Sequence, residues 1–475
     1  MNKKNSCRRS VLSVSLLIAL SAPVYAAPSY VVTSDEDSGG GTLREALNMG
    51  YSSIRIAKSV GDITIDTTLE YAGESPVSIK GKGQTIRTSN NITLLAATRG
   101  ADLSISDLAF EGPGGFDIYN RGDLNGPAGK GIFVDVRDDQ TGTVKLVLSD
   151  VSVTGVANHG IHVSDCSLAD DCGAGSGGGG EGSDASIMVV LNRVTVDDAG
   201  NGKFDADGLR VDERGEGSID AFITSSTFSN VGADGVELDE GNNGDVNAFI
   251  KFSDFSDNGG YCHPDIIGPF VPDPDEGKFD PEDQVTDADI PSVFGSPDDT
   301  CIERAVDFYD ADPVTGIEYV EEFEFAIDTD DGIDIDEAGE GSLNSMMLLS
   351  TITGNLDEGV DYDEEDAGSI NAVYVGTASS DNADDGYKHS EEDEGDVQAR
   401  VVFSSANDNG GKGFVFEEED GGDVAVKVVA TQTADNDDSD DTGIEAVQED
   451  EGTGTLKVRN SDIADGIDTD GVDEI

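Results

Sequence analysis

Four pairs of acidic residues stand at matching places in the chain: Asp212-Glu213, Asp239-Glu240, Asp336-Glu337 and Asp363-Glu364. Each pair falls four and five residues after a glycine, and Ser390-Glu391 and Glu417-Glu418 continue the series. Were these segments stacked as neighbouring strands, ~4.8 Å apart, the carboxylates would repel by ~1 kcal/mol per pair even in the dielectric of bulk water. The chain holds 28 Lys+Arg against 99 Asp+Glu, so basic side chains are too few to offset such a ladder. Hard divalent cations suit the task, because Ca²⁺ gathers six to eight oxygen ligands from carboxylates and carbonyls. The eight paired residues are therefore the expected Ca²⁺ ligands, the rival being a solvated acidic surface with diffuse counter-ions. A second acidic run, Asp328, Asp330 and Asp331 in IDTDDGIDID (Ile327 to Asp336), reads from its own residues as one more of the Asp-rich turns that recur in every coil. The four histidines, His159, His162, His263 and His389, form no metal-ligand spacing.

What positions the acidic pairs is an internal repeat. GLRVDERGEGSIDAFI from Gly208 recurs as GVELDEGNNGDVNAFI from Gly235, 27 residues later. Copies at Gly332, Gly359, Gly386 and Gly413 follow one another at the same interval of 27. Earlier copies begin at Gly131 and Gly160, a degenerate one at Gly443 and a truncated one at Gly466. Within a copy the apolar period is two, as in Val236/Leu238 and then Val246/Ala248/Ile250. Two short alternating strands per copy leave no room for a helix. Propeller blades need ~40–45 residues, so a unit of 27 predicts an all-β, right-handed parallel β-helix, a solenoid of ~27-residue coils.

Other columns share the register. Asn258, Asn355, Asn382, Asn409 and Asn436 each fall 23 residues after their glycine, where stacked amides can bond from coil to coil. Gly217, Gly244, Gly341, Gly368, Gly395 and Gly422 share offset nine, the mark of a turn with positive φ. The outward residue of the first strand (Arg210, Glu237, Asp334, Asp361, Lys388) varies freely and suggests no site. The interval from Gly160 to Gly208 is 48 residues and that from Gly235 to Gly332 is 97, so insertions are expected near 166–186 and 259–328. Solenoids tolerate such insertions because each repeat touches only its neighbours.

Residues 1–26 read as a secretory signal peptide: a basic start, the apolar run VLSVSLLIAL, and Val24-Tyr25-Ala26 before a small residue. A secreted or periplasmic protein follows, with 24 basic against 99 acidic residues once the leader is removed. Cys7 leaves with the leader. Disulfides Cys166–Cys172 and Cys262–Cys301 are expected, each closing its own insertion. The charge excludes nucleic-acid binding through phosphates, and no stretch reaches the ~18 apolar residues of a membrane span.

SGGGTLREALN (Ser38 to Asn48) predicts a short helix that caps the exposed strand edge of a solenoid, so that residues 27–58 form an N-terminal strand and cap and 59–475 the coils. Its Gly41-Thr42-Leu43-Arg44-Glu45-Ala46 resembles the "GTLREA" element of secreted bacterial right-handed parallel β-helix proteins of the pectate-lyase-like and polygalacturonase-like superfamily. The resemblance implies architecture and export. Asp328 to Asp331 also resemble the NTDGID element of polygalacturonase-like glycoside hydrolases, with Asp328 in place of Asn. That likeness implies Asp330 as one of the carboxylates of an inverting hydrolase. The remainder departs from that pattern: Asn158-His159-Gly160 precedes the Asp motif, and no RIK or RxPxxR element follows. The sequence thus points to a cation-stabilised β-helix with a structural or carbohydrate- or surface-binding role. The alternative is a polysaccharide hydrolase or lyase on the lateral face. The oligomeric state stays open.

Overall fold

Alternation of apolar and polar residues turns the chain into coils because each strand must bury one side and wet the other. The computed structural model describes residues 29–166, 182–271, 275–279, 295–296, 299–311, 318–436, 442–449 and 452–475. The expected leader, residues 1–26, lies outside them. Strands are named here by the glycine that opens their coil. The first strands of the coils, among them Leu209–Glu213, Val236–Glu240, Ile333–Gly339 and Val360–Asp366, stack in parallel as a 12-stranded sheet. The second and third strands, such as Val246–Lys251 and Asp254–Ser256, belong to a 22-stranded sheet. The result is a parallel β-helix, right-handed as nearly all parallel crossovers are. Residues at one offset align: Asp212 pairs with Asp239, Asp239 with Asp336, and Asp336 with Asp363.

Leu209, Val211, Ile219, Ala221, Ile223 and Phe228 fill one layer of the core, and their counterparts fill the next. Stacking extends to rings, with Phe228 on Phe255 at 5.6 Å and Tyr387 on Phe414 at 4.7 Å between centroids. His389 is an inward member of this stack, bonded to the Tyr374 hydroxyl at 2.8 Å. The asparagine column is a continuous ladder. Asn258 Nδ2 donates to Asn355 Oδ1 at 2.9 Å, Asn355 to Asn382 at 2.8 Å, Asn382 to Asn409 at 2.9 Å and Asn409 to Asn436 at 2.9 Å.

The glycines at offset nine correct one expectation. None of the six has positive φ. They are glycines because a Cβ at Gly341 would lie 1.7 Å from the Gly244 carbonyl oxygen and 2.0 Å from Glu337 Oε1, with Gly368 and Gly395 similarly crowded. Close approach, not backbone handedness, selects them.

The helix Leu43–Asn48 buries Leu43, Ala46 and Leu47 against the first coils. Thr42 Oγ1 accepts from Glu45 N at 3.1 Å and Glu45 accepts from Gly41 N at 2.7 Å, a reciprocal cap. Arg44 ties this cap to the next coil through the Thr68 carbonyl at 2.7 Å. The long insertion leaves the stack intact: Val246 pairs with Leu343 and Val236 with Ile333, so the Gly235 and Gly332 coils touch. Cys262 is bonded to Cys301 across 39 residues, beside buried Tyr261, Ile267 and Ile302. His263 Nδ1 caps the short helix Pro264–Ile267 by accepting from Asp265 N at 3.2 Å. The Cys166–Cys172 pairing lies outside the described residues, since Cys172 is not among them. Among the described residues no helix is long and apolar enough to cross a membrane.

Candidate functional site: an acidic recess on the first sheet

Strand alternation divides the expected ladder in two. Asp212, Asp239, Asp336 and Asp363 fall on the outward side of the strand, the first two covered by neighbouring side chains, whereas Glu213, Glu240, Glu337 and Glu364 fall on the inward side and are almost wholly buried. The eight residues therefore do not form one site. The inward glutamates face one another from coil to coil, both oxygens of Glu337 and of Glu364 have no hydrogen-bond partner, and burial with the neighbouring glutamate charge raises Glu337 to about 8 and Glu364 to about 11. The three-carboxylate groupings compact enough for one cation among the described residues include none of these four glutamates.

The outward aspartates lie beside a second column in the same register: Arg210, Glu237, Asp334 and Asp361. Together the two columns floor a recess of about 310 Å³. Asp328, Thr329, Asp330 and Asp331, from the segment where the insertion rejoins the stack, form its rim, and Phe204 and Asp205 close another side. The three aspartates singled out in the sequence are thus brought to the same place as the outward ladder. Asp331 N is fixed by the Asp234 carboxylate at 2.5 Å.

Basic side chains stand at both ends of the recess: Lys388 Nζ bonds Asp361 Oδ2 at 2.7 Å at one, and a denser group gathers at the other. Arg210 Nε donates to Asp212 Oδ1 at 2.7 Å, and its other nitrogens reach Asp239 at 3.2 Å, Asp205 at 3.2 Å and Glu237. Arg214 also bonds Asp239. Lys130 Nζ sits 2.6 Å from His162 Nδ1, and His162 Nε2 sits 2.6 Å from Asp212 Oδ2. With the ammonium donating to Nδ1, the ring's Nε2–H donates to the carboxylate. Burial opposes ionisation of Asp212, but Arg210 and His162 outweigh it and hold the acid below its usual range. Burial, with the Lys130 charge beside it, lowers His162 to about 4.

Away from that end the balance reverses. Burial, then the charges of neighbouring carboxylates, pushes Asp330, Asp331, Asp334 and Asp336 well above the usual range. Asp363 is raised to about 8 for the same reasons, Lys388 offsetting only part. Several oxygens there have no hydrogen-bond partner: Asp239 Oδ1, Asp331 Oδ1, Asp361 Oδ1 and Asp363 Oδ1. One oxygen from each of Glu237, Asp334 and Asp336 lies within 4.8 Å of the others, and Asp331, Glu358 and Asp361 make a second such trio. Oxygens bound to one Ca²⁺ at 2.3–2.6 Å lie no farther apart than about 5 Å, so both trios have the spread of a cation site.

Glu237, Asp334, Asp361 and Glu358 escaped the sequence reading. The signal was present in the outward column, where the residue identity changes from coil to coil. That variability hides an acidic run, Glu237, Asp334 and Asp361, bounded by Arg210 and Lys388.

No protein-family model matches the sequence, and no curated protein matches it either. Among solved structures the chain is similar to ORF18 of Geobacillus virus E2, with 9% identity and a TM-score of 0.39 over 91% of this chain. The chain spans 59% of that protein's length. It is also similar to the A-module of mannuronan C-5 epimerase AlgE6 of Azotobacter vinelandii (9% identity, TM-score 0.37, covering 94% of this chain and 99% of that one). A pectate lyase, Pel9A, gives 13% identity and a TM-score of 0.34, covering 94% and 78%. The fold assignment rests on this chain's own strand register.

Proposed function

We propose that this chain is an exported β-helix protein that carries divalent cations, Ca²⁺ foremost, in the acidic recess. Its lateral faces serve a structural role or contact carbohydrate or a surface. One observation carries the reading: Glu237, Asp334 and Asp336 converge, beside the unpartnered oxygens of Asp239 and Asp363, with Arg210 as the one basic residue among those lining the recess. Hard oxygen donors in this number favour Ca²⁺ over softer metals. Ca²⁺ that binds only the folded chain adds RT ln(1 + [L]/Kd), roughly 2.7 kcal/mol at a hundredfold excess over Kd. Millimolar CaCl₂ is therefore expected to raise the melting temperature beyond NaCl of equal ionic strength, with saturable heats by calorimetry. The D334N/D336N double variant should lose most of that difference. Equal effects of CaCl₂ and NaCl would reduce the recess to a solvated acidic surface.

A second reading is favoured by the company these carboxylates keep. Asp330 and Asp331 share the recess with Arg210 and Phe204, and their protonated forms are favoured by burial. A protonated carboxyl beside ionised ones is the pairing that polysaccharide hydrolysis uses, and a lyase needs a base with a nearby cation. Polyuronates would be repelled unless Ca²⁺ bridged them. Depolymerisation of neutral and acidic glycans, with and without Ca²⁺, separates the readings. Turnover abolished by D330N or D331N supports the enzyme.

A further inference from the structure

The outer face of the second sheet is apolar where solvent-facing strands are ordinarily polar. One outward column runs Phe222, Phe249, Met346, Val373 and then turns basic as Arg400, Lys427 and Lys457, each paired in register with the next. Beside it, Leu348, Val375, Val402 and Val429 form a second apolar row between Lys251 and Arg459. At the corner after this strand, Phe252, Leu349 and Phe403 are 49%, 55% and 68% exposed, at φ of 54°, 51° and 55°. The coil turn imposes that conformation, since Ser225, Gly376, Ala430 and Asn460 share it at the same corner, but bulky apolar residues rarely occupy it.

Charge sets this face apart from the rest of the molecule. From Phe222 to Asn460 these three columns contain no Asp or Glu, in a chain with 99 of them, and they contain five Lys or Arg. None of Lys251, Arg400, Lys427, Lys457 and Arg459 is in an ion pair among the described residues. Lys251 instead lies 4.6 Å from the centre of the Phe252 ring. Two copies, each with a formal charge of −71, could approach closely here and in few other places.

The order of residues along the columns is self-complementary. Consider a two-fold axis along the strand direction, between Leu343–Leu348 and Ser369–Val375. It sets the Gly235 coil of one copy against the Gly386 coil of the other, and the Gly208 coil against the Gly413 coil. Phe249 then meets Arg400 of the second copy, and Phe222 meets Lys427, each an aromatic face opposite a cation. Met346 meets Val373, and Phe252 meets Phe403. Gly376 keeps the axis open: a Cβ there would lie 2.7 Å from Leu349 Cδ2, so each leucine already leans across it and the two meet. A closed dimer requires such matching of one patch with its own reverse.

We propose that this face is a homodimer interface, its occupant a second copy of the chain packed antiparallel about that axis. The six coils that the axis matches, at ~4.8 Å each, by a six-residue strand of ~3.3 Å per residue give roughly 570 Å² per copy, near the ~600 Å² per partner at the lower end of specific interfaces.

Sedimentation velocity of the exported chain over a range of concentrations tests it. The wild type should be a dimer. Phe249→Lys opposes Arg400 with a like charge and should weaken dimerisation by about 100-fold, and adding Arg400→Glu should restore it. Phe403→Asp keeps a residue suited to positive φ and should also give a folded monomer, as circular dichroism would verify. A wild type that is monomeric throughout, a dimer indifferent to Phe249→Lys and Phe403→Asp, or no rescue by Arg400→Glu overturns the proposal. So does a monomer that floats with phosphatidylglycerol vesicles, because the face would then belong to a membrane.

Discussion

Replacing Asn382 with alanine removes the middle rung of the amide ladder. Asn382 Nδ2 donates to Asn409 Oδ1 at 2.9 Å and to Ser379 Oγ at 2.7 Å, and Asn382 Oδ1 accepts from Asn355 Nδ2 at 2.8 Å and Asn355 N at 3.2 Å. The site is 2% exposed, so water does not readily replace what is lost. Alanine leaves the Asn355 amide without its acceptor and the Asn355 backbone N–H without the same oxygen. Each buried orphan costs about 1–3 kcal/mol, so the variant should lose roughly 2–6 kcal/mol. Asn243→Ala, at an exposed turn position, should stay within ~0.5 kcal/mol. Urea unfolding at 25 °C, followed by circular dichroism and by tyrosine fluorescence, measures both. Coincident transitions are needed before a single free energy is assigned, because long repeat arrays can unfold in parts. A loss below ~1 kcal/mol for Asn382→Ala would mean that the ladder follows the coils without holding them.

Gly341→Ala should destabilise by at least the ~1–3 kcal/mol of an overpacked core, since its Cβ would strike the Gly244 carbonyl and Glu337, and melting temperature reads it. Reducing Cys262–Cys301 should hasten proteolysis between those residues while leaving the main melting transition nearly unmoved, because the coils on either side pair directly. Burial raises the Glu391 carboxyl to about 7, with Glu418, Asp396 and Asp393 adding to the push. A native pKa above the unfolded value gives stability that is complete below the ordinary glutamate range and lost as pH rises through about 7. Glu391→Gln should therefore gain stability relative to wild type at pH 8 and not at pH 4, measured by urea midpoints.

The coil architecture was legible because its signals are redundant. Val236/Leu238 and Val246/Ala248/Ile250 state the strand period, the 27-residue recurrence states the coil, and Asn355, Asn382 and Asn409 state the register. A misreading of any one would have been corrected by the others. The site lacked that redundancy. Adjacent letters such as Asp336 and Glu337 look like one acidic motif, yet strand alternation sends the first outward and the second inward, so the two face different neighbours. Conversely, Arg210, Glu237 and Asp334 look unrelated in sequence because they sit 27 and 97 residues apart, and pairing makes them neighbours. The glycines at offset nine show the same limit. A sequence can say that a side chain is forbidden there, but turn strain and a carbonyl pressed against the Cα leave the same letter. Where function depends on which face a residue occupies, the alternation of Leu238, Asp239 and Glu240 along a single strand carries the deciding information, and a repeat consensus averages it away.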